Sequence, residues 1–592
     1  MKETPGHRQN AGMPYGPPPV FPRRVPVGAS DKVQVAVVGE EMEIRIPFDD
    51  AGLREFVKSR LGGRRWDGER KLWRVPLSAA NIKLLRDRLD LDDEVVVAMD
   101  AIAAGHVIRH RKSAELSQSC TAELEVPATV NGTLRPFQKA GLQFIDMHSG
   151  ILLADEQGLG KTVQSAVAVE RAGLFPAVIY CPDILKLGWR DALNLWLPRR
   201  TVAVLGVAKK LAGVPMGEAD FIVLNYDIAA KHVKDIIALN PKALIADESH
   251  YLKNRKTART KAVARVVKES RNLRKVMCLS GTPILNRPKE LVEPLRLLGV
   301  LDSEFGGFYN FVNRYCDAYR DRFGLHADGA SHLDELHQRL RESCMIRRLK
   351  IDVLEELPEK QVQKVPVELS NAAVYKKVDT QFHRWLREKL GNDKEFLESI
   401  AHFSPALQRV EMTLRVQKTL RAETLAKRTA LRKMAGEGKI AAAVAWIRDF
   451  HETNPESKVL VFAHHDEVLH ALTEEFPGCV HLLAEDSTKA RQDAVNSFQG
   501  DASVWLGVLS TLVAQAGLTL HAASNELFVE YEETASAHRQ AEDRAHRIGQ
   551  KNSVNVYRLH AAGTIDDDLD VQIGMKAQVA DAAIDGKVLR AD

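Results

Sequence analysis

Residues 151–162 read ILLADEQGLGKT. A short apolar run, a glycine-bearing loop and the triplet Gly160-Lys161-Thr162 are the parts of a phosphate-binding loop, where backbone amides converge on phosphate oxygens at a helix start. The motif is incomplete, because Asp155 stands where its first glycine usually falls. A bare Gly-Lys-Thr is as often an ordinary helix start, so the surroundings must decide. "GILLAD" reads as a strand, and "KTVQSAVAVERAG" spaces apolar residues as a helix does. In a strand–loop–helix, Lys161 reaches terminal phosphates and the Thr162 hydroxyl holds Mg²⁺.

Such a site needs acids on a neighbouring strand. "KALIADESH" supplies an apolar strand ending in Asp247 and Glu248. Asp247 suits Mg²⁺ binding through water, and Glu248 suits orienting and deprotonating an attacking water. Acids at a strand end are commonly just a solvated turn; the pairing with Lys161 gives them meaning. Upstream, "LRPFQKAGLQF" (134–144) places Gln138 after an Arg-Pro-aromatic turn. Its amide can read an adenine edge, a role that depends on the rest of the site.

The whole chain fits several such units. At 592 residues it exceeds one hydrophobic core, which predicts three or four domains. The apolar fraction of 45% and charged fraction of 27% are those of soluble proteins. A net charge of +4 is near neutral for this size, so a polyanion surface would have to be local. Six scattered cysteines without a C-x-x-C pair argue against a disulfide framework or zinc ribbon and for a reducing compartment. No apolar run is long enough for a membrane span, and the start lacks a signal-peptide core. The expected location is the cytoplasm or nucleoid, or the nucleus in a eukaryote.

Residues 1–32, rich in Pro, Gly and Arg, read as a disordered tail. From 33 to 92 a small α+β unit is expected: strands in "VQVAVV" and "EMEIRIPF", a helix at 51–60, then a turn-rich stretch. Residues 93–130 read as a connector. From 131 to 300, short β-branched runs at 150–155, 176–181, 219–226, 242–248 and 275–280 alternate with amphipathic segments, the rhythm of a helix-wrapped parallel sheet. Residues 301–435 carry almost no strand signal and read as a helical insertion and linker. The strand rhythm returns in 436–592 with "KVLVFA", "VWLGVLS", "NELFVE" and "VNVYRL". The fold class is therefore α/β, with two parallel-sheet lobes, a helical insertion and a small α+β N-terminal domain.

In the second lobe, "QAEDRAHRIGQ" (540–550) sets Arg544 and Arg547 three apart, on one face of a helix. An isolated R-x-x-R is usually a basic surface. At the end of a second α/β unit, the pair can brace charge developing on a transferring γ-phosphoryl group. ATP would lie between the units, with arginines from one completing the acids of the other.

Together these stretches resemble the Swi/Snf-type ATPases of helicase superfamily two. "LRPFQKAG", "ADEQGLGKTVQ", "VIYCPDILKLGW", "DFIVLNYD", "IADESHYLKN", "CLSGTPILNRPKEL", "RRLKIDVLEELPEK", "KVLVFAHHDE", "VLSTLVAQAGLTL" and "QAEDRAHRIGQ" follow in family order over about residues 130 to 570. "STLVAQAGLTLHAAS" lacks the Gly-Gly of chromatin remodellers and looks like the annealing-helicase branch. "GRRWDGERKLWRVPL" is similar to that branch's small HARP-type domain, matching at Trp66, Trp73 and Pro76.

The resemblance implies two RecA-like lobes and an ATP-driven translocase on double-stranded DNA that rewinds or remodels forks and single-to-double-strand junctions. By position, Gly158, Gly160, Lys161 and Thr162 would cradle phosphates and Mg²⁺, Gln138 would contact adenine, and Gln540 would couple its helix to nucleotide. Asp247 and Glu248 keep the roles above, Arg544 and Arg547 become arginine fingers, and His250 of "DESH" links nucleotide state to the DNA face. Pro182, Asn225, Tyr226, Thr282, Ser510 and Thr511 fall at DNA-contact positions, where phosphate contacts imply little sequence specificity. Asp155 and Glu156 would hold the loop's shape or its coupling to neighbouring motifs. A strand-separating helicase, a nucleosome or protein–DNA remodeller and an inactive ATP-gated binder remain alternatives, although every catalytic position is filled. A monomer is expected.

Residues 54–74 form the densest basic–aromatic patch, with Arg64, Arg65 and Lys71 around Trp66 and Trp73. Cations there would track phosphates and an indole could stack on an unpaired base. The plainer reading makes both tryptophans core, covered by arginine stems; the expectation is structural tryptophans and functional arginines.

Overall fold

The computed structural model describes residues 33–321, 324–354, 356–391, 393–417, 419–514, 520–547 and 549–587. The expected tail at 1–32 and the "QAGLT" portion of the branch-specific stretch lie outside these. Two compact units emerge: residues up to His110 together with Leu301–Asn310, and Arg111–Val300 together with Phe311 onward.

In the first unit, strands β1 (Gln34–Val38), β2 (Glu41–Arg45), β3 (Arg65–Asp67) and β4 (Leu72–Pro76) form an antiparallel sheet in the order β1-β2-β4-β3. Alternation along β2 turns Met42 and Ile44 inward, against Leu53 and Val57 of the helix Ala51–Arg60. That helix starts where the Asp50 carboxylate accepts the Leu53 N–H at 2.8 Å. The stretch read only as turn-rich is in fact the β3–β4 hairpin, closed by a turn in which Lys71 takes φ 55°. The 93–130 segment, expected as a connector, contains a 26-residue helix, Asp93–Gln118. Val95, Met99 and Ile102 give it an apolar stripe at helical spacing that joins the unit's core.

The second unit holds both lobes. The first sheet contains β5 (Gly150–Leu153), β6 (Ala177–Cys181), β7 (Val202–Val204), β8 (Phe221–Asn225), β9 (Ala243–Asp247) and β10 (Lys275–Leu279). A short hairpin of β11 (Tyr319–Asp321) and β12 (Gly324–His326) follows, then β13 (Met345–Ile346) returns to the sheet, giving the order β13-β5-β10-β9-β6-β8-β7. Every residue of β5, β6, β8, β9 and β10 is buried, as in parallel sheets covered on both faces. Each such Leu, Ile or Val contributes about 1.5–3 kcal/mol over exposure. Leu279 of β10 pairs with Leu153 of β5 and with Asp247 of β9. The phosphate loop and the acids therefore leave the sheet together at the carboxyl ends of its strands, where ligands usually bind a parallel sheet.

The second sheet comprises β14 (Lys360–Pro366), β15 (Val459–Ala463), β16 (Val480–Leu482), β17 (Leu506–Ser510), β18 (Asn525–Phe528) and β19 (Val554–His560), ordered β14-β19-β18-β15-β17-β16 and all parallel. The stretch expected as a helical insertion and linker thus contributes β13 to one sheet and β14 to the other. β13 is two residues long, and β14 (KQVQKVP) is a largely polar edge strand without an apolar run to announce it. The rest of that stretch is mainly helical: Ala372–Leu390, Pro405–Gln417 and Arg421–Thr453 pack with the C-terminal helix Ile565–Asp585 around Leu386, Leu431 and Leu569. No helix among the described residues is long and apolar enough to cross a membrane.

Candidate active site between the lobes

The loop after β5 is held open by glycine geometry. Gly160 caps the helix Lys161–Ala172 at φ 75°, and a Cβ there would stand 2.5 Å from Gln138 Nε2. Gly158 has φ 85°, and a Cβ would meet Arg547 Cγ of the second lobe at 3.3 Å. Side chains rarely adopt either conformation, and both would crowd a neighbour. Gln138 is buried against the loop: its Oε1 accepts the Arg135 N–H and its amide donates to Leu159 O.

Asp155 is fully buried. It receives Arg348 Nε at 2.9 Å, the Arg348 backbone N–H at 3.1 Å and a contact from Nη2, while Gln164 Nε2 donates from 3.0 Å. Arg348 also donates to Gln164 Oε1 and the Phe137 carbonyl. The acid in place of a glycine thus anchors the loop to the segment after β13. Burying two charges is costly, and the multiple hydrogen bonds offset that cost. Lys161 donates to the Asp155 and Glu156 carbonyls, and desolvation pushes its pKa down to about 8.

At the end of β9, Asp247 accepts the Trp189 indole N–H at 2.8 Å. Its pKa rises through burial and the adjacent Glu248 carboxylate. Burial also penalises charge on Glu248, but a hydrogen bond from His250, 3.3 Å away, and the nearby charges of His250, Lys161 and Arg544 together outweigh it, so the Glu248 pKa falls. Glu248 sits at φ 48°, a left-handed conformation uncommon for a carboxylate side chain. Ser280 Oγ lies 3.5 Å from both Glu248 and His250 and accepts the Thr282 N–H at 3.2 Å. Thr282 Oγ1 in turn accepts Gln540 Nε2 at 2.8 Å, across the cleft. The buried Asp247 carboxylate and the hydroxyl of Thr162, in the first turn of the helix Lys161–Ala172, are hard oxygen donors of the kind that fits Mg²⁺.

The arginines do not share a helix. The helix Ala535–Glu542 ends before them, and Arg544 and Arg547 lie in the turns that follow. Arg544 donates to Gln540 O and reaches Gln157 Oε1 of the phosphate loop at 3.1 Å; Arg547 packs on Gly158. Burial pushes both guanidinium pKa values down, and for Arg544 the neighbouring Arg547 adds to this. Lys161, Glu248, Arg544 and Arg547, from two lobes, are therefore brought to one cleft. Gln540 bonds Thr282 there.

The expected DNA-contact residues stand differently. Tyr226 is buried and donates to the Asp247 carbonyl at 2.6 Å, stacking between Tyr180 and Tyr251. Thr511 is buried and donates to Glu532 and Ala463 O; Ser510, Pro182 and Asn225 are buried as well. Thr282 is committed to the other lobe. The Tyr226 and Thr511 hydroxyls thus donate to internal acceptors, while the Thr282 hydroxyl accepts from the other lobe. In the first unit Arg64, Arg65 and Lys71 are exposed; Arg65 pairs with Glu41 and Arg64 donates to Leu61 O. Trp73 packs on the core, whereas Trp66, 53% exposed, is not a core residue. Their rings lie 5.1 Å apart.

Sequence reading assigned no role to Arg347, Arg348 or Lys350, all buried at the lobe junction. A basic run normally reads as solvated; the only hint was its place directly after the apolar "CMI".

Comparison with known proteins agrees with this architecture. Residues 72–434 match the SNF2-related domain and residues 439–549 the helicase conserved C-terminal domain. The chain is 33% identical over 477 residues to the human DNA annealing helicase and endonuclease ZRANB3, covering 78% of this chain and 41% of that protein. It is 35% identical over 461 residues to the Xenopus laevis SWI/SNF-related matrix-associated actin-dependent regulator of chromatin subfamily A-like protein 1, covering 77% and 44%. The chain spans less than half the length of these relatives. Among solved structures, the Sulfolobus solfataricus SWI2/SNF2 ATPase core in complex with dsDNA is 23% identical over 78% of this chain and 95% of that one, with a TM-score of 0.36, too low to support detailed equivalence.

Proposed function

The chain belongs to the Swi/Snf-type, SNF2-related ATPases of helicase superfamily two, in their annealing-helicase branch, and we propose that it is a DNA-dependent ATPase that moves along duplex DNA and rewinds or remodels it at forks and junctions. The observation that carries this reading is the two-sided cleft, where Arg544 reaches Gln157 and Arg547 covers Gly158 above the acids of β9.

In that cleft Gln138 sits where adenine is read, and Gly158, Gly160 and Lys161 face the phosphates. Glu248, held ionised by His250, orients the attacking water and takes its proton. Arg544 and Arg547 stabilise charge on the transferring phosphoryl group from the opposite lobe. Thr162 and Asp247 would hold Mg²⁺, which when bound neutralises phosphate charge. Hydrolysis removes what the arginines grip, so the lobes part. The path Glu248–His250–Ser280–Thr282–Gln540 carries that change across the cleft. Gln540 acts through Thr282 in this path. The N-terminal unit is the HARP-like DNA-binding part, its exposed Arg64, Arg65, Lys71 and Trp66 meeting branched DNA. Contacts are to phosphate, with little sequence specificity, and the protein works as a monomer.

The test is ATP turnover with single-stranded, duplex and forked DNA, run beside rewinding of a melted bubble and displacement on a tailed duplex. Stimulation by duplex or fork, with rewinding and without displacement, is expected. Equal rates on all three DNAs would overturn the motor reading, and displacement without rewinding would make the protein a strand-separating helicase.

A further inference from the structure

Lys350 follows the Arg347-Arg348 pair in the segment leaving β13. Its side chain is buried to 4% exposure, a costly place for an ammonium unless it is paired and hydrogen-bonded. Nζ donates to Asp543 Oδ1 at 2.7 Å and to the His546 carbonyl at 2.6 Å. Asp543 immediately precedes Arg544, and His546 immediately precedes Arg547. One ammonium therefore grips the turn beside each arginine. The same residue's backbone N–H donates to Glu156 Oε2 at 2.7 Å, and Glu156 belongs to the phosphate loop. The Glu156 N–H in turn donates to Arg348 O at 3.0 Å.

The second-lobe turn has its own supports. Lys360 and Arg558 hold Glu542 at the end of its helix, and Arg544 O accepts the Leu520 N–H. These fix the turn within the second lobe. Lys350 differs in tying that turn to the phosphate loop of the first lobe.

We propose that Lys350 is a positioning residue: it locks the turn carrying Arg544 and Arg547 in register with the phosphate loop, so that lobe closure and arginine delivery occur together. Lys350 touches no substrate in this role. It acts on the rate of phosphoryl transfer by removing the freedom of the turn, while nucleotide affinity, set mainly by the first lobe, is left in place. An Arg544 displaced by an ångström loses its alignment, which commonly costs about a hundredfold in rate.

The inference rests on the ATPase reading above. The full chain is prepared as wild type, Lys350→Met, Asp543→Asn, the double variant and Lys350→Arg. ATP turnover is measured with saturating duplex DNA, and nucleotide affinity with a fluorescent ATP analogue. In Lys350→Met, kcat is expected to fall tenfold or more, with KM and analogue affinity within threefold of wild type. Asp543→Asn should show the same split, the double variant should be no worse than Lys350→Met, and Lys350→Arg should recover part of kcat. Should Lys350→Met fail to fold, as judged by its melting transition, Asp543→Asn carries the test with Lys350 retained. A kcat within twofold of wild type in the folded variants, or a loss of affinity matching the loss of rate, overturns the proposal. A wild type without turnover defeats the ATPase reading instead.

Discussion

The N-terminal hairpin and the interlobe cleft are both crowded with arginine and acid, yet they use charge in opposite ways. In the hairpin, Arg65 meets Glu41 in the open, while Arg70 and Arg74, both half-exposed, meet Glu43, and Arg74 also reaches Asp67. In the cleft, Arg348 and Asp155 are 1% and 0% exposed, and Lys350 and Asp543 are 4% and 5% exposed. Water screens the Arg65–Glu41 pair most, so it adds little to stability and its cation stays available to a polyanion. The second set is desolvated, so its members cannot be separated cheaply, and their partners lie on segments far apart in sequence. Exposed charge suits recruitment; buried charge suits coupling between parts.

The sharpest break of this contrast is Arg348→Met. It leaves Asp155 buried and unpaired, and urea unfolding should show a loss of about 3–5 kcal/mol in the transition that includes the first lobe. Adding Asp155→Asn should recover part of it. A loss under about 1 kcal/mol would mean that the cleft pair behaves like a surface pair.

The hairpin should show the converse. Glu41→Gln should change stability by less than about 1 kcal/mol. Charge removal at Arg64 and Lys71 should leave the melting transition in place while lowering the salt dependence of fork binding, by about one unit of log–log slope for each phosphate no longer neutralised. Unchanged slope in Arg64→Ala/Lys71→Ala would remove this face from DNA recognition.

Much of the motor was legible because local sequence carries it. Fully buried parallel strands read as apolar runs, the loop directly follows its strand β5, and the acids fall at the end of theirs, β9. The misreadings have a common physical origin. β13 is too short and β14 too polar to show a strand pattern, since each exists by pairing with a strand distant in sequence. Arg544 and Arg547 follow a helix closely enough to share its period, yet the chain turns after Glu542, where Lys360 and Arg558 anchor that carboxylate. Tyr226, expected at a DNA-contact position, is buried, and its hydroxyl donates to the Asp247 carbonyl. Asp155 looked like a lost glycine until Arg348, nearly two hundred residues later, supplied its partner.

The central claim is that hydrolysis needs groups from both lobes at one cleft. It is tested most directly by comparing Lys161→Ala with Arg547→Ala in the full chain, measuring DNA-stimulated turnover and ATP-analogue affinity on the same preparations. Turnover should fall at least a hundredfold in both variants, with affinity lost chiefly in Lys161→Ala. Wild-type turnover in Arg547→Ala would contradict the claim and confine the chemistry to the first lobe.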